Sequence, residues 1–312
     1  MARRRLSDGR TAIGSITPER GEAKSGGLAL SFGGSGLMMM YQFGVAREIS
    51  RDLDFMQGVQ KVHGTSGGAI CGAMLVACPE RFDDAMKYFE SGAWLREATP
   101  RDVLEPHKRI LRRAMEELGL ETSAEALKLG GFVAHATRLR NRNDQQRSKR
   151  TFFQNVSIDD FANDAEVLEA IAASCCLSPN GVSFRGTRLY DGGFSDPLPS
   201  DPVLETVAVS ILNGTHVDLA PDYSQRATLQ KKQQLIKKRY KGPPFLRYAL
   251  SPQNARALLE TTFLTSKRAR ARYDQGQRDA QTFLDTWHTK KRNNQDDTTP
   301  LVTSTVDDHN NL

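Results

Sequence analysis

Two glycine-rich turns, each between an apolar run and an amphipathic stretch, constrain the fold of this sequence more than any other feature. The first unit, from Gly26, contains GGLALSF, GGSG and LMMMYQFGVAREIS, and the second, from Val59, contains VQKVHG, TSGG and AICGAMLVAC. Short apolar runs bounded by glycines predict buried strands, and apolar residues at helical spacing, such as Leu37, Tyr41 and Val45, predict helices. Further strands are predicted at GGFVAHATRL, TFFQNV and TVAVSIL. This alternation predicts an α/β fold, a three-layer sandwich whose mostly parallel central sheet is flanked by helices.

The second turn contains the pattern G-x-S-x-G, with Ser66 between Gly64 and Gly68. Between a strand and a helix, this pattern is typical of a nucleophilic serine, because small neighbours let the chain turn sharply and the helix pack closely. The start of the helix also carries a partial positive charge, which favours negative charge on the serine oxygen. The alternative is an ordinary glycine turn, and the motif by itself leaves both interpretations open.

The first turn, GGSG at Gly33 to Gly36, offers backbone N–H groups to the oxyanion that a serine nucleophile generates. Two such turns at the carboxyl ends of neighbouring parallel strands would place donors and nucleophile in one crevice. The competing interpretation is a loop that binds nucleotide phosphates. That loop would need the Lys-Ser/Thr of a Walker motif or a G-x-G-x-x-G pattern, and the sequence has neither.

The general base for Ser66 has two candidates in the sequence, Asp191 and His216. Asp191 begins a D-G-G turn after the strand-like run VSFRGTRLY, where a carboxylate has room for close approach. A carboxylate with its ordinary pKa of about 4 is a weak base, so burial would have to raise that pKa. An ordinary turn remains the alternative for D-G-G, and His216, in the polar stretch NGTH, remains a conceivable partner of the serine. His63, just before the motif, is interpreted as a strand-end residue.

The four cysteines have neither C-x-x-C spacing nor histidine partners, and we interpret them as reduced, buried residues. We therefore predict no metal site and no cofactor.

The charge and hydropathy patterns restrict where the chain works. A net charge of +6 indicates attraction to an anionic surface, either a membrane or a nucleic acid. No apolar run approaches the roughly 20 residues of a membrane-spanning helix. The N-terminal stretch MARRRLSDGRTAIGS also lacks the apolar core of a secretory signal. We expect an intracellular chain that is not secreted, and charge alone does not choose between a membrane and a nucleic acid as its partner.

The glycine loop, G-x-S-x-G and D-G-G, in this order and at these spacings, resemble the patatin-like phospholipase family. The segments LSFGGSGLMMMYQFGV and IAASCCLSPNGVSFRGTRLYDGGFSDPLP are similar to the branch that contains adipose triglyceride lipase and adiponutrin, as are VAVSILNGTHVDLAP and YDQGQRDAQTFL. The resemblance covers about Gly26 to Trp287. It implies a patatin-like fold and a cytoplasmic protein that acts on lipids and associates peripherally with a membrane or a lipid droplet.

The resemblance also implies roles for individual residues. Ser66 corresponds to the nucleophile and Asp191 to the general base of a dyad, with no histidine and no calcium. The oxyanion hole corresponds to the backbone N–H groups of Gly34, Ser35 and Gly36, helped by that of Gly67. The remaining motif positions correspond to Gly64, Gly68, Gly192 and Gly193.

The implied activity is that of a serine lipid acyl hydrolase. It would cleave fatty-acyl esters of phospholipids or acylglycerols through an acyl-enzyme intermediate. Two positions depart from the family pattern: Met39 stands where a glycine is usual, and Met38 where plant patatins carry a basic residue. Met39 motivates the alternative of a catalytically weak regulator that binds lipid surfaces. Met38, Met39, Met40 and Phe43 are candidates to line an apolar site, although a helix core is the simpler role for them.

The basic stretches suggest how the chain meets its substrate. The sequence predicts four segments: a polar basic tail (1–25), a patatin-like domain (26–220), a basic helical extension (221–288) that packs on or beside the domain, and a disordered tail (289–312). In the extension, apolar residues interleave with cations that are predicted to contact a membrane surface: Lys231, Lys232, Lys237, Lys238 and Arg239. A solvated surface helix is the alternative. Nothing in the sequence resembles a nucleic-acid-reading motif, so we predict a lipid partner and no nucleic acid.

Overall fold

The computed structural model describes the following residues: 27–92, 109–120, 123–140, 152–212, 217–221, 256–257, 259–260 and 265–296. Seven strands within these ranges form one sheet: β1 (Leu28–Phe32), β2 (Val59–Thr65), β3 (Phe132–Leu139), β4 (Phe153–Ile158), β5 (Val182–Phe184), β6 (Thr187–Asp191) and β7 (Glu205–Val209). The α-helices within the described ranges are α1 (Met39–Arg51), α2 (Leu53–Gly58), α3 (Gly67–Ala77), α4 (Phe82–Glu90), α5 (Ile110–Glu117), α6 (Ala124–Leu129), α7 (Asp164–Ser174) and α8 (Ser266–Asp296).

The centre of the sheet is parallel. Strand β1 pairs in parallel with both β2 and β7, and β2 pairs in parallel with β3. All five residues of β1 are buried, as expected of a strand that is covered on both faces. The predicted fold class is therefore confirmed as a mixed α/β fold with a mostly parallel central sheet flanked by helices.

Strands β2 and β6 share one edge of β3 and run toward each other along it. Residues 134–135 of β3 pair with both β2 and β4, and residues 136–138 pair with both β6 and β4. Because β4 occupies one edge throughout, β2 and β6 must lie end to end on the other. Thr65 pairs with His135, and Asp191 pairs with the next residue, Ala136. The carboxyl ends of β2 and β6 therefore meet, and this juxtaposition creates the candidate site.

The last described helix belongs to the same hydrophobic core. Helix α8 packs along α1. Gly44 and Gly276 let the two helices approach closely, since a Cβ added to either glycine would overlap a backbone carbonyl oxygen of the facing helix. The buried side chains of Tyr273 and Leu284 join the core formed by the sheet and α1. The helix runs to Asp296, so part of the segment that we predicted to be a disordered tail is helical.

Some predicted features lie outside the described residues. They are the polar basic tail at 1–25 and the part of the basic extension that contains the cations at 231–239. Within the described ranges, no helix combines the length and the apolar character needed to cross a bilayer.

Candidate active site

Ser66 occupies a strained turn between β2 and α3. Its backbone angles are φ 55° and ψ −128°, and only one other non-glycine residue in the described ranges, Arg185, has a positive φ. Such a conformation costs free energy and persists where surrounding structure enforces it, which is typical of a nucleophile elbow. The turn lifts Ser66 out of the sheet at the carboxyl end of β2.

The glycines of the motif allow α3 to lie directly on the sheet. A Cβ added to Gly64 would lie 2.5 Å from the Cα atom of Ala69, and one added to Gly68 would overlap the carbonyl oxygen of Phe32. A larger residue at either position would push the helix away from β1 and β2. The sharp turn that was predicted from the spacing of these glycines is therefore present.

The carboxylate of Asp191 lies against the hydroxyl of Ser66. Ser66 Oγ donates a hydrogen bond of 2.8 Å to Asp191 Oδ2, and the backbone N–H of Gly193 donates one of 2.8 Å to Oδ1. Asp191 is only 5% exposed, and this burial raises its pKa to about 6, although its two hydrogen bonds act in the opposite direction. The carboxylate is thus more basic than an ordinary aspartate, as a base acting alone on a serine requires.

Backbone contacts fix the position of Asp191. Thr137 Oγ1 donates to the carbonyl oxygen of Asp191 at 2.8 Å, and the N–H of Asp191 donates to the carbonyl oxygen of Cys176 at 2.8 Å. Gly192 lies so close to the carbonyl oxygen of His135 that a Cβ would overlap it. These contacts attach the D-G-G turn to β3 and to the end of α7.

Ser174 is a buried contact residue of the elbow that the sequence did not reveal. Its hydroxyl accepts a hydrogen bond of 2.9 Å from the backbone N–H of Ser66 and donates one of 2.6 Å to the carbonyl oxygen of His135. A serine at the end of an apolar helix gave no local signal of this contact. Ser174 ties the strained turn to β3.

The glycine loop lies beside Ser66. An ideal Cβ on Gly34 would be 3.7 Å from the Cβ of Ser66, and one on Gly67 would be 2.5 Å from Ser35 Oγ. The N–H of Gly34 already donates to the carbonyl oxygen of Pro197 at 2.8 Å, so in this conformation it is not free for an oxyanion. No acceptor within the described part of the chain engages the N–H groups of Ser35, Gly36 or Gly67. Of the four predicted donors, Ser35, Gly36 and Gly67 thus have N–H groups open in this conformation, whereas the N–H of Gly34 holds the loop to Pro197; that these groups bind an oxyanion stays a prediction.

Gln42, which is fully buried in α1, holds this loop. Its Oε1 atom accepts from Ser35 Oγ at 2.8 Å, and its Nε2 atom donates to the carbonyl oxygen of Gly33 at 2.8 Å. The only sequence signal was one polar residue within the apolar run MMMYQFGV. Gln42 is a second positioning residue that the motifs did not identify.

The described histidines bond to groups other than Ser66. His63 and His135 form a buried pair, with His63 Nδ1 3.0 Å from His135 Nε2, and His63 Nε2 lies 3.1 Å from Asp201 Oδ2. His288 bonds Asp52 at the surface. His63 lies in β2 with its ring in the buried pair, whereas His216 lies outside the described residues.

Cys175 borders the site from the end of α7. Burial, followed by the negative charge of Asp191, raises the pKa of the Cys175 thiol well above its usual value, so the group stays protonated. Cys71, Cys78 and Cys176 are buried as predicted, but Cys175 is only partly buried. Within the described ranges, no group of histidine, cysteine, aspartate and glutamate side chains could hold a metal ion.

The methionines that follow the glycine loop belong to the core. Met38, Met39, Met40 and Phe43 are all less than 5% exposed. The Cβ of Met39 would be 3.2 Å from a Cβ on Gly67, so the departure at this position packs directly behind the elbow. The predicted membrane-contact cations, at positions 231–239, lie outside the described residues.

An α/β fold with a serine on a strained strand-to-helix turn, bonded to a buried carboxylate, is typical of hydrolases with a serine nucleophile. The chain belongs to the patatin-like phospholipase family, because the sequence model of that family, "Patatin-like phospholipase", matches residues 30–204, more than half of the chain.

Similar individual proteins include three from Homo sapiens. Omega-hydroxyceramide transacylase is 25% identical over 199 residues, which cover 62% of this chain and 35% of that protein. Patatin-like phospholipase domain-containing protein 5 is 26% identical over 199 residues, 62% of this chain and 43% of the relative. A 1-acylglycerol-3-phosphate O-acyltransferase is 27% identical over 206 residues, 62% of this chain and 39% of the relative. The chain therefore spans less than half the length of these relatives.

Proposed function

We propose that the chain is a serine lipid acyl hydrolase that cleaves fatty-acyl esters of phospholipids or acylglycerols. The observation that carries this proposal is the 2.8 Å hydrogen bond from Ser66 Oγ to a buried carboxylate whose pKa is raised to about 6. Membership of the patatin-like phospholipase family supports lipid acyl hydrolase activity in general. The dyad and the class of lipid are our proposals.

In the first half of the proposed reaction, Asp191 Oδ2 accepts the hydroxyl proton as Ser66 Oγ attacks the carbonyl carbon of the ester. The N–H groups of Ser35, Gly36 and Gly67 stabilise the oxyanion that forms. Collapse of this intermediate breaks the bond to the alcohol, which leaves with the proton from Asp191. The acyl group is then bound to Ser66 as an ester.

In the second half, water attacks the acyl-enzyme while Asp191 accepts one of its protons. The second tetrahedral intermediate collapses, Ser66 Oγ regains a proton from Asp191, and the fatty acid leaves. A single carboxylate thus acts as base and then as acid in each half.

Acyl transfer is a second candidate function, and the names of two relatives, a transacylase and an O-acyltransferase, favour it. It needs only an alcohol in place of water in the second half of the reaction. Adding a lipid alcohol to a turnover assay and measuring the new ester against the free fatty acid would separate transfer from hydrolysis.

A catalytically weak regulator that binds lipid surfaces remains the alternative, motivated by Met39. Absence of turnover by the wild-type protein would favour this alternative, so the experiment below also tests it.

The test is turnover of a fluorogenic fatty-acyl ester by wild type, Ser66→Ala, Asp191→Asn and His216→Ala. We expect the first two variants to lose at least about a thousandfold in kcat, since both remove the proposed dyad. Ser183→Ala and Asp84→Asn, at exposed positions, are the matched controls and should retain activity. A fluorophosphonate should label wild type on Ser66 and leave Ser66→Ala unlabelled. If His216→Ala abolished turnover but had the same stability as wild type, the proposed dyad would be wrong and a triad that includes His216 would take its place.

A further inference from the structure

Five side chains near the candidate site form an unbroken line of hydrogen bonds, called here the polar network. His63 Nε2 lies 3.1 Å from Asp201 Oδ2, and His63 Nδ1 lies 3.0 Å from His135 Nε2. On the other side of His135, Asn155 Nδ2 lies 3.0 Å from the Nδ1 atom of that ring and 3.3 Å from Asp196 Oδ2. Both histidines are only 4% exposed. The proposed dyad uses none of these five residues.

One direction of donation assigns a role to every ring nitrogen of the polar network. Burial lowers the pKa of both imidazoles, so each ring is neutral at neutral pH and has one N–H group and one acceptor nitrogen. As a carboxylate, Asp201 can only accept, so His63 donates to it from Nε2. His63 Nδ1 must then accept from His135 Nε2, and His135 Nδ1 must accept from the amide of Asn155. Removing one member therefore leaves buried polar groups without partners.

The two carboxylates at the ends of the polar network belong to one segment, residues 196–201, called here the strap. Side chains of the sheet also hold the backbone of this segment. Thr65 Oγ1 donates to the carbonyl oxygen of Asp196 at 3.0 Å, and Ser31 Oγ donates to that of Pro199 at 2.6 Å. The strap is thus bonded to the sheet at both ends and in between.

The polar side chains that hold the strap share one face of three strands. Ser31 pairs with His63 across β1 and β2, and Thr65 pairs with His135 across β2 and β3. Residues 63 and 65 lie on the same side of β2, because side chains alternate along a strand. Central strands of a parallel sheet are usually apolar on both faces. Four polar side chains at this place therefore indicate a role beyond strand pairing.

The strap is in direct contact with the glycine loop. The carbonyl oxygen of Pro197 accepts from the N–H of Gly34 at 2.8 Å, and a Cβ added to Gly33 would lie 3.0 Å from the same oxygen. The next residues of the loop, Ser35 and Gly36, carry two of the proposed oxyanion donors. Because a misplacement of about 1 Å can cost about a hundredfold in rate, the position of the strap should matter for turnover.

We propose that the polar network positions the glycine loop for the oxyanion and that it acts through the strap. His63, His135 and Asn155 are positioning residues and not catalytic ones, because they fix the loop and take no part in the proton transfers of the dyad. This assignment rests on the proposed function, in which the loop stabilises the oxyanion formed at Ser66.

The first test cuts the polar network at its centre. His135→Leu should lower kcat for a dissolved short-chain ester at least about tenfold with little change in KM, since the loop acts on the transition state. It should weaken inhibition by an alkyl trifluoromethyl ketone in step with the fall in kcat/KM, because the ketone adds to Ser66 and places its oxyanion on the loop. His135→Gln, which keeps a donor for His63, should return kcat to within about threefold of wild type.

A milder variant and a matched control accompany this test. Asn155→Ala affects a partly buried side chain and leaves the pair of histidines intact, and it should lower kcat about threefold or more at constant KM. Ser123→Ala is the control, because its buried hydroxyl donates to the carbonyl oxygen of Leu120 at 2.7 Å, at the start of α6. It should unfold at lower urea than wild type but keep the kcat of wild type. A purely structural role of the polar network would give its variants this same behaviour.

Three results would overturn the inference. Folded His135→Leu and Asn155→Ala could both have the kcat of wild type, or their kcat could fall without a parallel loss of ketone affinity. The third is a His135→Gln protein that is as slow as His135→Leu. If His135→Leu does not fold, the kcat and the ketone affinity of Asn155→Ala decide.

Amide hydrogen exchange separates this inference from the proposed function. The N–H of Gly34 is protected by its bond to Pro197, so a loosened strap should speed its exchange in His135→Leu and Asn155→Ala but not in the control. Faster exchange in a protein without Ser66-dependent turnover would leave the hold of the strap on the loop intact and refute the hydrolase. Ser66-dependent turnover that neither variant of the polar network changes would leave the hydrolase intact and refute the positioning role.

Discussion

At the scale of single residues, Asp191 should determine how turnover depends on pH. Burial raises its pKa to about 6, and the proposed base acts only when it is unprotonated. We therefore expect kcat/KM for a dissolved short-chain ester to rise with pH through about 6 and to level off above it. At one pH unit below the pKa, it should be about tenfold lower than on the plateau.

The temperature dependence of the pH at which kcat/KM rises identifies the titrating group. Carboxyl ionisation absorbs little heat, so the apparent pKa should barely change between cold and warm assays, whereas the apparent pKa of an imidazole would change visibly. If the rise with pH disappeared in His216→Ala, the assignment to Asp191 would be contradicted.

At the scale of elements, the sequence predicted both strand–turn–helix units and the strands near Phe132 and Val207, since these depend on local apolar patterns. It could not predict that β2 and β6 meet end to end, because that depends on which residues of β3 each strand pairs with. From the sequence, Asp159 and Asp160 favour a helix that starts near Ile158, because acidic residues suit the first turn of a helix. In the structure α7 begins later, at Asp164, where the side chain of Asn163 caps it by accepting a hydrogen bond from the N–H of Glu166.

The same distinction applies to the candidate site. The motifs led to Ser66 and Asp191 because the turn chemistry around each is local. Ser174 and Gln42 act through contacts with residues on other elements or loops, and neither lies in a recognisable pattern. Their roles could be found only once the packing of α1 and α7 on the sheet was known.

Gln42 supports a prediction about the glycine loop. Gln42→Leu would leave the buried carbonyl of Gly33 and the hydroxyl of Ser35 without their partner, at a cost of about 1–3 kcal/mol each in the free energy of unfolding. Because the loop is proposed to hold oxyanion donors, kcat should fall at least about tenfold with little change in KM. Urea unfolding and steady-state kinetics measure the two effects.

Two further variants make this test specific. Gln42→Glu keeps the acceptor for Ser35 and loses the donor to Gly33, so it should fall between wild type and Gln42→Leu in kcat. Gln57→Leu, at an exposed position, is the matched control. Gln42→Leu with wild-type kcat would show that the loop keeps its geometry without the glutamine.

At the scale of the whole molecule, the buried Asp191 and the buried His63–His135 pair contribute to the pH dependence of stability in opposite directions. The His63–His135 pair and Asp201 join β2, β3 and the segment before β7. Burial, followed by the charge of His63, lowers the pKa of His135 to about 4, and burial also lowers that of His63. Asp191, by contrast, has a raised pKa.

These shifts predict opposite contributions to the free energy of unfolding between pH 6.5 and 4. For His135, the unfolded state binds a proton more readily than the folded state, so its contribution lowers stability as the pH falls through this window, by up to about 3 kcal/mol. For Asp191, the folded state binds the proton more readily, so stability rises by a similar amount as pH falls from about 6. The two contributions should largely cancel in wild type.

Single variants should therefore expose slopes of opposite sign, measured by urea unfolding across this pH range. Asp191→Asn should lose stability on acidification more steeply than wild type, because the contribution of Asp191 no longer offsets that of the histidines. His135→Gln should lose it less steeply or gain stability. Ser157→Ala, which removes a hydroxyl 3.5 Å from His135 Nδ1 but no titrating group, should run parallel to wild type. Parallel curves for all four proteins would mean that neither buried group changes its pKa on folding. Asp191 would then lack the raised pKa on which a dyad without histidine depends.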